Sequence, residues 1–321
     1  PAFLSGPPFG LAAPHWRPLF AFGEGSIDSW GMSSELDDRV SEETGDPLVD
    51  RVETALRLAR EAGVILMGFY ESDVGVVEAK GEVDFVTRAD RESEAHLVGE
   101  LRRLFPDDRI LAEEAGGSFG DEGWAWLLDP LDGTTNFVHR LPIFGVSVGI
   151  VKDGRPVGGV VEMPALRETY VGYRGGGAYL GGRRILVSET KELSSAILAT
   201  GFPYNRRAIA DRLLERVRRS MMEGHGVRRI GAAVVDLCWL AAGRFDGFYE
   251  EGLNPWDTCA GVVIAEEAGA VVSDYVGGAF NLRSGDLVAS NGLIHEELLS
   301  RVVVDSSGRH PHASGPSREG E

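Results

Sequence analysis

The chain has 321 residues, enough for one large domain or two fused subdomains with a substantial core. Its hydrophobic share of 43% and charged share of 26% are ordinary for a soluble globular protein, and no run approaches the roughly 18 uninterrupted apolar residues of a membrane span. A formal net charge of -18 excludes a general nucleic-acid binder, which needs clustered Lys and Arg, but admits a phosphorylated substrate if metal ions supply positive charge.

Residues 1–46 are rich in Pro and Gly, show no apolar period and lack the basic start and apolar core of a signal peptide; they are expected to be disordered. Met32, followed by Ser33-Ser34-Glu35-Leu36, reads as a natural beginning, which would make the segment before it an over-extended gene start. Apolar residues at 48, 52, 55, 56, 59, 63 and 66 share one helical face and predict a helix over 47–71. A short strand over 83–87 leads to a second helix over 89–105, with Leu97, Leu101 and Leu104 on its apolar side. After Pro106, short strands at 110–112 and 124–128 run directly into carboxylates. Residues 144–152, 156–162 and 168–173 read as strands of an antiparallel sheet. Asp153-Gly154 supplies a hairpin turn, and Gly175-Gly176-Gly177 and Gly181-Gly182 mark further turns.

From about residue 188 the pattern changes. Strands at 196–200, 227–229, 245–250, 271–273 and 287–290 alternate with helices at 206–222, 231–244, 256–268 and 294–303. An α+β subdomain over 47–187 is thus expected to precede an α/β subdomain over 188–304. The tail 305–321, with His310 and His312, reads as solvated and disordered. Cys238 and Cys259 lie in apolar, helix-like stretches and suit buried thiols in a reducing cytoplasm.

Acids gather where strands end. Glu113 and Glu114 follow one strand, Asp129 and Asp132 another, and Asp257 opens a helix after Asn254-Pro255-Trp256. Carboxylates converging in an apolar setting repel unless cations lie between them, and hard oxygen donors without nearby His or Cys favour magnesium or manganese over zinc. A turn through Pro130 would bring Asp129 and Asp132 to one side with the Leu131 carbonyl between them. Amides at Gly133 and Thr134, opening a helix, would hold a phosphate. Taken alone, Asp132-Gly133-Thr134 is also ordinary turn and cap chemistry, and Glu113-Glu114 an ordinary solvated pair.

The run Trp126-Leu-Leu-Asp-Pro-Leu-Asp-Gly-Thr-Thr-Asn-Phe137 resembles the first signature of the inositol monophosphatase family, and Pro255-Trp256-Asp257-Thr258-Cys259-Ala260-Gly261 resembles the second. Ala112-Glu113-Glu114 and Asp84-Phe85-Val86-Thr87-Arg88-Ala89-Asp90 are similar to its two upstream acidic elements, and the likeness spans about residues 47–304. The resemblance implies a layered αβαβα sandwich of the sugar-phosphatase type. It also implies Mg2+-dependent hydrolysis of a phosphate monoester by metal-activated water, with two or three ions and Mn2+ as a substitute. Glu113, Asp129 and the Leu131 carbonyl would hold a first ion, Asp129, Asp132 and Asp257 a second, and a weaker third would share Glu113. Thr134 and Asp90 would orient and help deprotonate the water, while the Gly133 and Thr134 amides bind phosphate. For Asp90 a plain helix-start carboxylate is the competing reading.

Glu250, with Asp132 and Ala233, would meet the substrate's hydroxyls. That favours myo-inositol monophosphate over fructose 1,6-bisphosphate, histidinol phosphate or adenosine 3'-phosphate. A non-catalytic, protein-binding role on the same fold is the alternative from another class. The implied partners are a small phosphorylated polyol or sugar and a second copy of the chain in a homodimer, with Trp239 or Tyr249 at that interface or in the core; nucleic acid and membrane are not among them.

Overall fold

The computed structural model describes residues 45–72, 77–79 and 85–304. The expectations for residues 1–44 and 305–321, His310 and His312 included, and those for Val83 and Asp84, lie outside the described residues.

Helix α1 (Pro47–Glu71) begins where predicted for a local reason. The Asp46 carboxylate accepts from the Leu48 amide at 2.9 Å, and Pro47 has no amide to leave unsatisfied. Asp46 therefore belongs to the helix rather than to the segment before it. Strands β1 (Val77–Ala79) and β2 (Phe85–Thr87) pair antiparallel, and Thr87 then caps α2 (Arg88–Leu104) through a capping box with Asp90. Leu104, predicted on the apolar side, is exposed: the last turn of α2 runs past the core that Leu97 and Leu101 fill.

The large sheet contains β3 (Arg109–Ala112), β4 (Gly116–Gly117), β5 (Trp124–Asp132), β6 (Gly145–Lys152), β7 (Arg155–Met163), β8 (Glu168–Tyr173), β9 (Gly177–Leu180) and β10 (Arg183–Arg184). Its order is β10-β9-β8-β7-β6-β5-β3-β4; β3 and β5 are parallel and the other neighbours antiparallel. Two features differ from the sequence reading. Strand β5 does not turn at Pro130 but continues to Asp132 through a register shift between Asp129 and Asp132; Pro130 has no N–H for the ladder, so the strand bulges there. The glycine-rich stretch read only as turns also contains β9, an apolar strand between the positive-φ turn residues Gly175 and Gly181.

Helix α3 (Thr134–Val138) follows β5. The small sheet, β11 (Ile197–Thr200), β12 (Gly226–Arg228), β13 (Gly247–Glu250), β14 (Val271–Ser273) and β15 (Leu287–Ser290), has the order β12-β11-β13-β15-β14, with β11 parallel to both neighbours. Helices α4 (Ala210–Glu223), α5 (Ala233–Ala241), α6 (Pro255–Glu267) and α7 (His295–Val302) complete this part. Helix α5 starts two residues later than predicted because Gly231, at φ 90°, lies outside helical space.

Packing gives five layers: α1 and α2, the large sheet, α5 and α6, the small sheet, then α4 and α7. Adjacent glycines on β7 face opposite layers. Gly158 lies against Leu48 and Val52 of α1, and Gly159 against Ala260 of α6. A methyl group at Gly149, Gly159 or Gly172 would overlap Cys259, Ala260 or Ile264, so three neighbouring strands seat α6 closely on the sheet. The inner face of the small sheet (Ala199, Phe248, Leu287) meets Leu237 and Leu240 of α5 and Val262 of α6, while its outer face (Leu198, Tyr249, Val288) meets Leu298 and Val302 of α7. Tyr249 is thus core. Each such side chain withdrawn from water stabilises the fold by roughly 1.5–3 kcal/mol. Cys238 and Cys259 are buried free thiols, and no helix among the described residues is long and apolar enough to cross a membrane.

Candidate active site

The two sheets turn the carboxyl ends of their parallel strands toward a common place. Strands β3 and β5 deliver Glu113 and the 129–132 bulge; β11, β12 and β13 end at Gly201, Arg229 and Glu250; α3, α5 and α6 begin at Thr134, Ala233 and Pro255. These ends surround a cavity of about 250 Å³. Carboxyl ends of parallel strands and helix starts are the usual crevice for ligands in layered α/β proteins.

Glu113, Asp129, Leu131, Asp132, Gly133, Thr134, Ala233, Glu250 and Asp257 all line this cavity. Residues three apart on a regular strand face opposite ways, so Asp129 and Asp132 share it because of the bulge. The Ser93 hydroxyl donates to the Pro130 carbonyl at 3.0 Å and ties the bulge to α2. Gly133, at φ 85°, makes the left-handed turn into α3 that a side chain would strain. Asp90 stands behind the wall. Its Oδ1 lies 3.2 Å from the Thr134 hydroxyl, which also reaches the Leu131 carbonyl at 3.0 Å, and its Oδ2 accepts from the Thr87 amide at 2.8 Å. Asp90 is therefore both a capping residue and a neighbour of Thr134.

The acids are held by backbone amides. Asp129 Oδ1 accepts from Leu131 N at 3.0 Å, Asp132 Oδ2 from Val234 N at 2.8 Å, and Asp257 Oδ2 from Asn254 N at 2.7 Å. Burial, then the charges of Glu113, Asp132 and Asp257, hold the Asp129 carboxyl well above the ordinary range. Burial and Asp257 do the same to Asp132. Burial and Asp257 also push Glu250 up to about 8, with Arg229 opposing. Asp90 is raised chiefly by burial.

Among the described residues no three His, Cys, Asp or Glu side chains already close round one point as a finished coordination sphere. The carboxylates stand round the cavity, turned toward their amide donors. Their chemistry nevertheless fits a hard divalent cation: several carboxylate oxygens line one cavity, and no described Lys or Arg forms an ion pair with Asp129 or Asp132.

A loop wall of the cavity and a buried acid near it escaped the sequence reading, which places Arg229 only within a helix entry on the substrate side and Asn254 only before the helix that Asp257 opens. The loop Gly201-Phe202-Pro203-Tyr204 and Arg206 form one wall, and Asn254 another part of it. Arg229 also lines it, its guanidinium 5.6 Å from the Phe202 ring centre. In the first turn of α5, Asp236 is buried with an Oδ1 that has no hydrogen-bond partner, and burial holds its carboxyl well above the usual range. The loop has no periodic pattern, and its place depends on β11 lying between β12 and β13, which no local sequence signal reveals.

The chain belongs to the inositol monophosphatase family, whose model matches residues 48–307, and is accordingly a hydrolase of the phosphatase class. The Nus factor SuhB of Salmonella typhimurium is 40% identical over 250 residues, covering 77% of this chain and 94% of the relative. The inositol-1-monophosphatase of Mesorhizobium japonicum is 42% identical over 234 residues, 73% of this chain and 88% of the relative. Among solved structures, an inositol monophosphatase from Anabaena matches with a TM-score of 0.72 and 38% identity, over 79% of this chain and 95% of that one. One from Thermotoga maritima matches with a TM-score of 0.73 and 39% identity, over 79% and 96%.

Proposed function

We propose that this protein hydrolyses small phosphate monoesters, foremost myo-inositol monophosphates, with Mg2+ held by Glu113, Asp129, the Leu131 carbonyl, Asp132 and Asp257. The observation that carries this reading is the set of carboxylates gathered round a single cavity beside Gly133 and Thr134, where burial first and then one another's charge raise Asp129 and Asp132. Magnesium, when bound, would supply Lewis-acid polarisation of the phosphoryl group and a lowered pKa for water. The protein's own groups would handle the rest. The Gly133 and Thr134 amides orient the phosphate. The Thr134 hydroxyl positions the attacking water and passes its own proton toward Asp90, whose raised carboxyl is the more basic for its burial. As water adds to phosphorus, it gives a proton to the Thr134 oxygen in place of the one passed to Asp90, the ester P–O bond breaks, and the departing alkoxide takes a proton from solvent water in the cavity. Asp132, the Ala233 amide and Glu250 take the alcohol half, which favours a polyol; fructose 1,6-bisphosphate, histidinol phosphate and adenosine 3'-phosphate are the competing substrates.

A panel of these esters, assayed for phosphate release against a magnesium titration, tests the reading. Inositol 1-phosphate should show the highest kcat/KM and no turnover without divalent cation; metal-independent hydrolysis would overturn it. A second reading is favoured by the name Nus factor borne by several relatives. On that reading the chain also acts by binding a protein partner. A metal-free protein without turnover that still forms a stable complex would support it. We further propose a cytoplasmic homodimer, to be checked by light scattering.

A further inference from the structure

We propose that Gly201 sets how this site reads the alcohol half of its substrate, by reserving the seat in which the Glu250 carboxylate lies. A methyl group added at Gly201 would overlap the Glu250 carboxyl carbon and both of its oxygens. The carboxylate thus occupies the volume that the Cβ of any other residue would claim. Conformation does not demand glycine here, for Gly201 is not among the positive-φ residues. Space alone demands it. The pairing explains the approach: β11 and β13 run parallel with Thr200 opposite Tyr249, so Gly201 and Glu250 follow side by side, and both line the cavity.

Nothing else fixes this carboxylate. No described residue donates a hydrogen bond to it; burial, Asp257 and Arg229 act on it only through desolvation and charge. Its position is set by the seat, and its acceptors remain available to the cavity. Taking Glu250 as the hydroxyl-facing acid proposed above, position 201 then decides whether those acceptors meet a pair of vicinal hydroxyls. The overlap falls on the far end of a flexible side chain, not on backbone. Gly201→Ala should therefore displace the carboxylate and leave the fold intact.

The test compares wild type, Gly201→Ala, Glu250→Ala and the double variant on myo-inositol 1-phosphate and on p-nitrophenyl phosphate, whose leaving group has no second hydroxyl. Gly201→Ala should lose roughly tenfold in kcat/KM on the inositol ester, mainly through KM, and far less on the nitrophenyl ester. The double variant, in which nothing is left to overlap, should be no worse than Glu250→Ala. Equal losses on both substrates, or losses that add in the double variant, overturn the inference, as does a single variant that fails to fold where the double one folds. An undiminished Glu250→Ala overturns the reading of Glu250 itself; a clear Glu250→Ala effect without a Gly201→Ala effect overturns only the role of Gly201.

Discussion

Glu250 and Glu251 are neighbours in the chain and belong to opposite regimes. Glu251 points into the α4–α7 layer, where Arg212 and Arg216 reach its two oxygens at 2.8 and 2.7 Å. Arg216 also donates to the Val302 carbonyl at 2.8 Å and lies 4.0 Å from the Tyr275 ring centre. Burial alone would raise Glu251, but these bonds outweigh it and hold the carboxyl below its ordinary value. Glu250 faces the cavity with Asp132 and Asp257 and is pushed up to about 8. Glu251 is buried to build the fold, and two arginines are bonded to it. Glu250 lines the cavity, where Arg229 acts on it through charge alone and leaves its value raised.

The comparison breaks most visibly at Asp129. Asp129→Asn removes the most encumbered carboxylate and should cost on the order of a thousandfold in kcat. The same change should raise the melting temperature of the chelated protein, because it removes a charge that burial and the repulsion of Glu113, Asp132 and Asp257 disfavour. Retained activity, or a lower melting temperature without metal, would sink the contrast. On the paired side, Arg216→Ala leaves Glu251 with a half-matched buried charge. A loss of about 3–5 kcal/mol in urea unfolding is expected, with the phosphatase assay little affected at temperatures where the variant stays folded. A loss below about 1 kcal/mol would make the pair an ordinary surface bridge.

The smallest effect sharpens the contrast through pH. Glu250 binds its proton more tightly folded than unfolded, its value rising from 4.5 to about 8. Its contribution to stability is therefore full below 4.5 and lost as pH rises through about 8. Chelated wild-type protein should melt at higher temperature as pH falls across that window, and Glu250→Gln should flatten the slope; an unchanged slope would exclude Glu250 as a source.

Much of this was legible because local chemistry and tertiary demand agree. Asp46-Pro47 caps α1 and the apolar period of 52–66 faces the large sheet, so pattern and packing point the same way. The strand ends with their acids also stood out. Failures came where neighbours decide. Leu104 continues an apolar stripe but has no layer to bury it. Pro130 reads as a turn and instead sits in a bulged strand, because β6 pairs on both sides of it. The cavity's second wall is harder still. Phe202, Tyr204 and Arg206 lie on a loop without periodicity, and Arg229 and Glu250 line one cavity only because β12 and β13 flank β11.

The glycine seat beneath α6 has a consequence for inheritance of activity. Asp257 rides on the first turn of that helix, and Asp129 and Asp132 on the sheet below. The interlayer gap, set at Gly149, Gly159 and Gly172, is therefore the spacer that decides how far apart the acids stand. One added methyl group in that gap would act as a shim, silencing the enzyme from positions that carry no chemistry of their own.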